Sequence, residues 1–224
     1  MQIREWMTRD VITVTPEASL FKASRLMKEH QIRRLPVVDD HDRLVGIISD
    51  RDVKAASPSR ATTLDMYELM YLLSEIKIRD VMTASPISIS PDQTVETGAL
   101  LMEEKKIGGL PVVDADNKVI GIITDYDIFK VLVDITGVRH GGLHLAFEVD
   151  DAPGTMRPIF DLLRDHKATI VSMLTSASEP VSADKRRIYI RVRRMDREQE
   201  ENLIAALSQA FTLVYWVRDG VQDA

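Results

Sequence analysis

The apolar positions in the first quarter of the chain outline a helix followed by two strands. Beyond Pro16, apolar residues recur every three or four positions, which is typical of a helix with one buried face. Two short β-branched runs follow at 35–39 and 44–48, and the polar turn between them predicts a β-hairpin. Ser49 then precedes a further helical stretch and is suited to cap it.

This pattern returns 75 positions later. Residues 3–53 align without a gap to residues 78–128, and 20 of the 51 pairs are identical. A unit of this size buries little apolar surface by itself, so we expect the two copies to pack face to face with pseudo-twofold symmetry and to form a paired cleft. The acidic hairpin turns could hold calcium, but Asx turns are the favoured interpretation.

The segment between the copies, residues 61–77, predicts a packing or dimerisation helix. It begins near Asp65, and Glu68 three residues later suggests a capping box. The apolar residues expected on one face are Met66, Leu69, Met70, Leu73 and Ile76.

The last third of the chain has a different pattern, β-α-β-β-α-β. Strands are predicted at 143–149, 168–177, 187–193 and 211–217, and the second helix at 198–210. Pro153 is predicted to open the first helix, which continues through Leu163. The predicted division of the whole chain is 1–60 for the first copy, 61–77 for the linking helix, 78–135 for the second copy, 136–142 for a linker and 143–220 for the last unit.

Charge and composition exclude several classes of protein. The 29 basic and 35 acidic side chains give a net charge of −6, which provides no general attraction to nucleic acid or to an anionic membrane. The chain has no cysteine, and therefore no disulfide, no thiolate metal site and no cysteine nucleophile. It shows neither a signal peptide nor an apolar run long enough to span a bilayer, so we expect a cytoplasmic protein.

Candidate catalytic groups do not converge in the sequence. The five histidines are scattered, and the nucleotide-loop and nucleophile-elbow motifs are missing. His140 and His144 are spaced i, i+4, but the glycines between them argue against a helical zinc pair. We therefore expect a binding and regulatory protein rather than an enzyme, with no metal and no required cofactor.

Two duplicated carboxylates suggest the chemistry of a ligand site. Asp52 and Asp127 each lie at the start of a helix, where one carboxylate can accept hydrogen bonds from both hydroxyls of a ribose. Ser49 and Thr124 lie where a strand leads into that helix, so a hydroxyl and free backbone N–H groups are expected to face a phosphate. The alternative is that these residues only cap their helices.

The tandem copies resemble a pair of CBS domains, the Bateman module, over residues 3 to 135. This resemblance implies that the cleft binds an adenosine-containing ligand such as AMP, ADP, ATP or S-adenosylmethionine. Carried over position by position, Arg33 and Arg34 would contact phosphate and Ile12 and Ile87 would flank adenine. The full set of ligand-binding residues implied is Thr8, Ile12, Arg33, Arg34, Pro36, Ser49, Arg51, Asp52, Thr83, Ile87, Gly109, Pro111, Thr124, Tyr126 and Asp127.

The two copies differ at the positions that would contact phosphate. The first carries Arg33-Arg34 and Arg51, whereas the second carries Gly108-Gly109 and Tyr126. Because charge-assisted hydrogen bonds contribute about 1.5–3 kcal/mol each, two such contacts would separate the affinities by roughly 10² to 10⁴. We therefore expect one tighter, phosphate-bearing ligand near Arg33, Arg34, Ser49 and Asp52.

The last unit resembles an ACT domain, and the order of domains resembles the AcuB-like acetoin utilization proteins. The ACT resemblance implies a ferredoxin-like fold, a dimer, and a possible amino-acid site in the loop Asp151, Ala152, Pro153 and Gly154. The combined expectation is a homodimer in which an adenine nucleotide shifts a conformational equilibrium and signals to a partner enzyme, in acetoin or related carbon metabolism. The alternatives are a ligand-free dimerisation scaffold and an amino-acid sensor.

Overall fold

The computed structural model describes residues 1–57, 66–176 and 184–219. Its helices are α1 (Ile3–Trp6), α2 (Leu20–Glu29), α3 (Asp50–Ala56), α4 (Met66–Glu75), α5 (Val95–Lys105), α6 (Asp125–Ile135), α7 (Arg157–Asp165) and α8 (Arg197–Ala210). Its strands are β1 (Arg34–Val38), β2 (Leu44–Ser49), β3 (Thr83–Ala84), β4 (Gly109–Val113), β5 (Val119–Thr124), β6 (Gly142–Asp150), β7 (Ile170–Ser176), β8 (Lys185–Val192) and β9 (Thr212–Asp219). Within these residues, no helix is both long enough and apolar enough to cross a membrane.

The chain divides into two compact units, Met1–Ile128 and Phe129–Ala224. In the first unit, both predicted hairpins are confirmed: β1 pairs antiparallel with β2, and β4 pairs antiparallel with β5 in the same register. The equivalence extends to the preceding segments, because Val14 donates to the Pro36 carbonyl (3.1 Å) as Ile89 does to that of Pro111 (3.0 Å). The duplicated sequence therefore forms a duplicated fold.

The start of each copy packs on the other copy. Strand β3, which precedes the second copy's helix, extends the first copy's sheet by pairing with β2. In return, Thr8 forms a β-bridge to Ile122 of β5. The buried side chain of Ile78 belongs to the first copy's core, beside Leu20. Each copy therefore contributes its first segment to the structure of the other copy.

Two methionines and two glycines make the exchange possible. A Cβ atom on Gly46 would lie 2.4 Å from the Sδ of Met82, and one on Gly121 would lie 2.4 Å from the Sδ of Met7. Each methionine therefore fills the space that a side chain on the other copy's strand would need. The glycines of the repeated GII runs are explained by this close approach.

The acidic hairpin turns are Asx turns, as predicted. The Oδ1 atom of Asp39 accepts hydrogen bonds from the N–H groups of His41 (2.9 Å) and Arg43 (2.8 Å). Asp114 does the same for the second hairpin. The backbone N–H of Arg43 is the main reason that the pKa of Asp39 is lowered. These carboxylates are therefore explained by turn chemistry.

Helix α4 packs beside α2 and contributes Leu73 to the core of the first copy. The predicted start at Asp65 and the side chains of Met66 and Leu69 lie outside the described residues. Met70 is 41% exposed. The packing role predicted for this helix is therefore confirmed at Leu73.

The second unit has the predicted order of elements, β6-α7-β7-β8-α8-β9. Its antiparallel sheet has the strand order β7-β8-β6-β9. Alternate residues of β6 and β8 are buried against the two helices, as the period-two pattern predicts. The largest fully buried side chain of the unit is Phe147.

The first helix of this unit begins later than predicted. Pro153 lies in a turn, and α7 starts at Arg157. The proline in the first turn of this helix is Pro158. Gly154 has a φ of +87°, which lies outside the helical region and prevents a helix from starting at Pro153. The prediction for Pro153 was therefore wrong.

Candidate functional site

A groove of about 1050 Å³ lies in the first unit between the two copies. The first copy contributes the end of β2 and the start of α3, and the second copy contributes the segment after β3 and the end of α5. The residues that line it are Arg33, Arg34, Ile47, Ser49, Asp50, Arg51, Asp52, Lys54, Thr83, Pro86, Ile87, Met102, Glu103, Lys106, Ile107, Gly108, Gly109 and Asp125.

The carboxylate of Asp52 is held at the groove by a reciprocal capping box. Its Oδ2 atom accepts hydrogen bonds from the backbone N–H (2.8 Å) and the hydroxyl (2.6 Å) of Ser49, at the start of α3. Oδ1 has no hydrogen-bond partner among the described residues, and a carboxylate oxygen can accept two hydrogen bonds. Ser49 and Asp52 therefore cap α3, and this role leaves Oδ1 able to accept two hydrogen bonds.

Thr124 and Asp127 form the same arrangement in the second copy. Asp127 Oδ2 accepts from the backbone N–H (3.0 Å) and the hydroxyl (2.7 Å) of Thr124. Asp127, however, is only 5% exposed and is not among the residues that line the groove. The two duplicated carboxylates are thus chemically alike but differ in their access to a ligand.

Three backbone N–H groups at the predicted phosphate site, at the start of α3, donate within the chain. The N–H of Ser49 donates to Asp52, that of Asp50 to the carbonyl of Arg33 (2.8 Å), and that of Asp52 to the Ser49 hydroxyl (3.3 Å). These three donors are already used within the chain. A phosphate at this position would therefore be contacted mainly by side chains, and the predicted phosphate contact stays a prediction.

The two predicted arginines occupy different environments. Arg33 is exposed at the groove. Arg34 is half-buried and donates a hydrogen bond from Nη1 to the carbonyl oxygen of Gly108 in the other copy. Burial lowers the pKa of Arg34, and the carboxylates of Asp125 and Asp50 oppose that shift. Arg34 therefore has a partner in the protein as well as a place at the groove.

Several charged residues of the groove were missed by sequence reasoning. Lys54 lies 2.7 Å from Asp50 and donates to it, which lowers the pKa of Asp50. Their i, i+4 spacing indicates an ion pair but not its position beside a cleft. Glu103 and Lys106 come from the other copy, and nothing in the local sequence marks them as neighbours of Asp52.

The remaining predicted residues fall into two groups. The second copy lines the groove with Thr83, Ile87 and Gly109, and the first copy with Arg51. The buried residues Pro36 and Pro111 lie in β1 and β4, and Tyr126 is 66% exposed. The predicted residues that do not line the groove are Thr8, Ile12, Pro36, Pro111, Thr124, Tyr126 and Asp127.

A smaller groove of about 460 Å³ lies in the second unit. All four residues of the predicted ligand loop, 151–154, line it, together with the start of α7. Arg186 Nη2 lies 2.8 Å from Asp151 Oδ1 across this groove. In neither unit do the described residues contain a cluster of three or more histidine or acidic side chains that could hold a metal ion.

Comparison with known proteins identifies the first unit. The model of the CBS domain family matches residues 3–59 and 78–134, which together make up about half of the chain. The chain belongs to the CBS domain family. Its two CBS copies are the two halves of the duplicated fold, and the groove lies between them.

Relatives carry the CBS pair in different settings. Inosine-5'-monophosphate dehydrogenase from Methanocaldococcus jannaschii is 38% identical over 126 residues, which are 56% of this chain and 22% of the enzyme. The chain therefore spans less than a quarter of that relative's length. AcuB from Vibrio cholerae, named for acetoin utilization, is 31% identical with a TM-score of 0.51, over 62% of this chain and 95% of that one.

A solved CBS pair contains a nucleotide. CBSX2, a protein of Arabidopsis thaliana, is 35% identical to this chain in its complex with AMP. The match has a TM-score of 0.50 and covers 60% of this chain and 97% of that one.

Proposed function

We propose that the groove between the CBS copies binds an adenosine-containing nucleotide and that the protein is regulatory rather than catalytic. The observation that carries this proposal is the carboxylate of Asp52, which lines the groove, is fixed by Ser49 through Oδ2, and has no hydrogen bond at Oδ1 among the described residues. That oxygen can accept both hydroxyls of a ribose. The AMP complex of CBSX2 supports the class of ligand.

The rest of the groove suits the other parts of a nucleotide. Ile87 is 40% exposed and offers an apolar surface for a base. Arg33, Arg51 and Lys106 have no ion pair among the described residues and can contact phosphate. Because these cations are side chains in a partly open groove, a phosphate can reach them without displacing backbone hydrogen bonds.

Calorimetry on the full chain tests the proposal, with adenosine, AMP, ADP, ATP and S-adenosylmethionine as ligands. We expect saturable binding of at least one of them and a higher melting temperature when it is present. A ligand that binds only the native state adds RT ln(1 + [L]/Kd), about 2.7 kcal/mol at 100 times Kd. GMP is the matched control, since it keeps the ribose and phosphate. If none of the adenine compounds binds, the scaffold alternative is favoured.

Replacement of Arg33 tests the contact with phosphate separately from the contact between Asp52 and the ribose. We expect Arg33→Ala to weaken AMP binding by about tenfold or more, the size of one charge-assisted hydrogen bond, and to leave adenosine binding unchanged. Arg43→Ala, outside the groove, is the matched control. Equal AMP affinity in the wild type and in Arg33→Ala would show that Arg33 does not contact phosphate.

We further propose that binding is transmitted to the second unit, which acts as a dimerising ACT domain in a cytoplasmic homodimer. The β-α-β-β-α-β order supports this assignment, and the likeness to AcuB supports a role in acetoin or related metabolism with a partner enzyme. Small-angle scattering with and without saturating AMP is the test. Superimposable scattering profiles would show that AMP binds without changing the conformation. Sedimentation as a monomer would exclude the homodimer.

The groove at 151–154 supports amino-acid sensing as a second candidate function. The loop supplies backbone groups, and the pair Asp151–Arg186 could contact the charged ends of an amino acid. A thermal-shift screen of the twenty amino acids would reveal this function. If no amino acid raises the melting temperature, the second unit is left with dimerisation alone.

A further inference from the structure

The first copy carries Arg33-Arg34 where the second copy carries Gly108-Gly109. This difference lets the two copies pack closely against each other. A Cβ atom on Gly109 would lie 2.5 Å from Nη1 of Arg34, and one on Gly108 would lie 2.6 Å from Nη2. The two glycines therefore leave the space that the guanidinium of Arg34 occupies. The second copy lacks arginines at these positions because the first copy's arginine reaches into them.

Asp125 is part of the same contact. The carbonyl oxygen of Gly108 accepts hydrogen bonds from Arg34 Nη1 and from the backbone N–H of Asp125 (3.1 Å). A Cβ on Gly108 would lie 3.0 Å from the Oδ2 atom of Asp125 as well as 2.6 Å from Arg34 Nη2, so the two charges are neighbours without forming a direct ion pair. Asp125 thus places a negative charge beside Arg34, which also explains why it opposes the lowering of the arginine's pKa.

The charges around the groove are unequally available to a ligand. Five cations and four carboxylates line it. Lys54 forms an ion pair with Asp50 at 2.7 Å, and Arg34 donates to Gly108 and lies within the electrostatic influence of Asp125. The cations that remain for a ligand are Arg33, Arg51 and Lys106. Three cations are enough for a monophosphate dianion but leave a triphosphate poorly compensated.

We propose that Asp125 makes the groove selective for a short phosphate, because it keeps Arg34 against Gly108 and away from a second or third phosphate group. This inference rests on the proposed function and specifies its ligand as a nucleoside monophosphate. Asp125 is a positioning residue in this role, since it acts on the ligand through Arg34. The selectivity belongs to the pair of copies, because Arg34 comes from one and Asp125 from the other.

The ratio of ATP affinity to AMP affinity tests this inference. We expect Asp125→Asn to raise that ratio by about fivefold, the size of a partly screened interaction between two charges that share no hydrogen bond, and to leave adenosine affinity unchanged. Glu103→Gln is the matched control: it removes the same charge from the same groove but not from beside Arg34, and its ratio should change less than about threefold. In an Arg34→Ala background, Asp125→Asn should have no effect on the ratio.

The remaining outcomes distinguish a failure of the role proposed for Asp125 from a failure of the proposed nucleotide binding. An equal change in the ratio for Asp125→Asn and Glu103→Gln, or a change that persists without Arg34, would overturn the role of Asp125. If no adenine compound binds the wild-type protein, the proposed function fails, and inorganic pyrophosphate becomes the probe. Tighter pyrophosphate binding by Asp125→Asn than by Glu103→Gln would still support the control of Arg34, and equal binding would contradict it.

Discussion

Asp52→Asn is expected to weaken AMP binding by about 30- to 150-fold. The substitution turns two charge-assisted hydrogen bonds to the ribose into neutral ones, a loss of about 1–1.5 kcal/mol for each. The single carbonyl oxygen of the asparagine can accept from the Ser49 N–H, so the cap of α3 is retained, and its NH2 group takes the place of Oδ1 and can only donate neutral hydrogen bonds to the ribose oxygens. Calorimetry with AMP measures the effect, and circular dichroism checks the fold.

Two comparisons make this prediction specific. Asp127→Asn changes the equivalent carboxylate, which does not line the groove, and should alter AMP affinity at the groove by less than about threefold. 2'-Deoxy-AMP removes one of the two hydroxyls, so it should bind more weakly than AMP to the wild type but nearly as well as AMP to Asp52→Asn. AMP affinity that is the same in Asp52→Asn and in the wild type would exclude the sugar contact and the proposed function with it.

Gly142→Ala is expected to destabilise the second unit by about 3 kcal/mol or more. Gly142 has a φ of +109°, and an added Cβ would lie 2.1 Å from the carbonyl oxygen of Val192 in β8. The neighbouring atom belongs to the backbone of the paired strand, so it cannot move aside as a side chain could. Backbone strain of this kind costs about 1–3 kcal/mol before the steric contact is added.

Gly154→Ala is the matched control for this prediction. Gly154 also has a positive φ, +87°, but an added Cβ would have no neighbour within 4 Å. It should cost only about 1–2 kcal/mol, the strain of the left-handed backbone. Denaturant unfolding in a Trp6→Phe background, where Trp216 is the one remaining tryptophan, measures both effects. The same loss of stability in the two variants would show that contact with Val192 is unimportant.

Much of the fold follows from local patterns in the sequence. The hairpins, the capped start of α3 and the element order of the second unit depend on residue spacing, turn residues and side-chain period. Pro153 was misjudged because proline is compatible with both a turn and the start of a helix. The positive φ of Gly154, which settles that choice, is a property of the folded loop.

The candidate site was predictable only in part. Ser49 and Asp52 were found because the capping pattern is local and occurs twice. Arg34 was also found, but its contact with Gly108 spans 74 positions and has no local signature. The different burial of Asp52 and Asp127 was not predictable either, since both follow the same motif.

By itself the sequence determined the duplication, through identities 75 positions apart, and it also determined the types of the elements and the capping pair Ser49 and Asp52, because these depend on residues within a few positions of one another. Only the tertiary structure decided that β3 joins the other copy's sheet, that Arg34 fills the space above Gly108 and Gly109, and that Lys106 faces the same groove as Asp52. These contacts form when distant segments compete for the same space and the same hydrogen-bond partners, and that competition is resolved by packing.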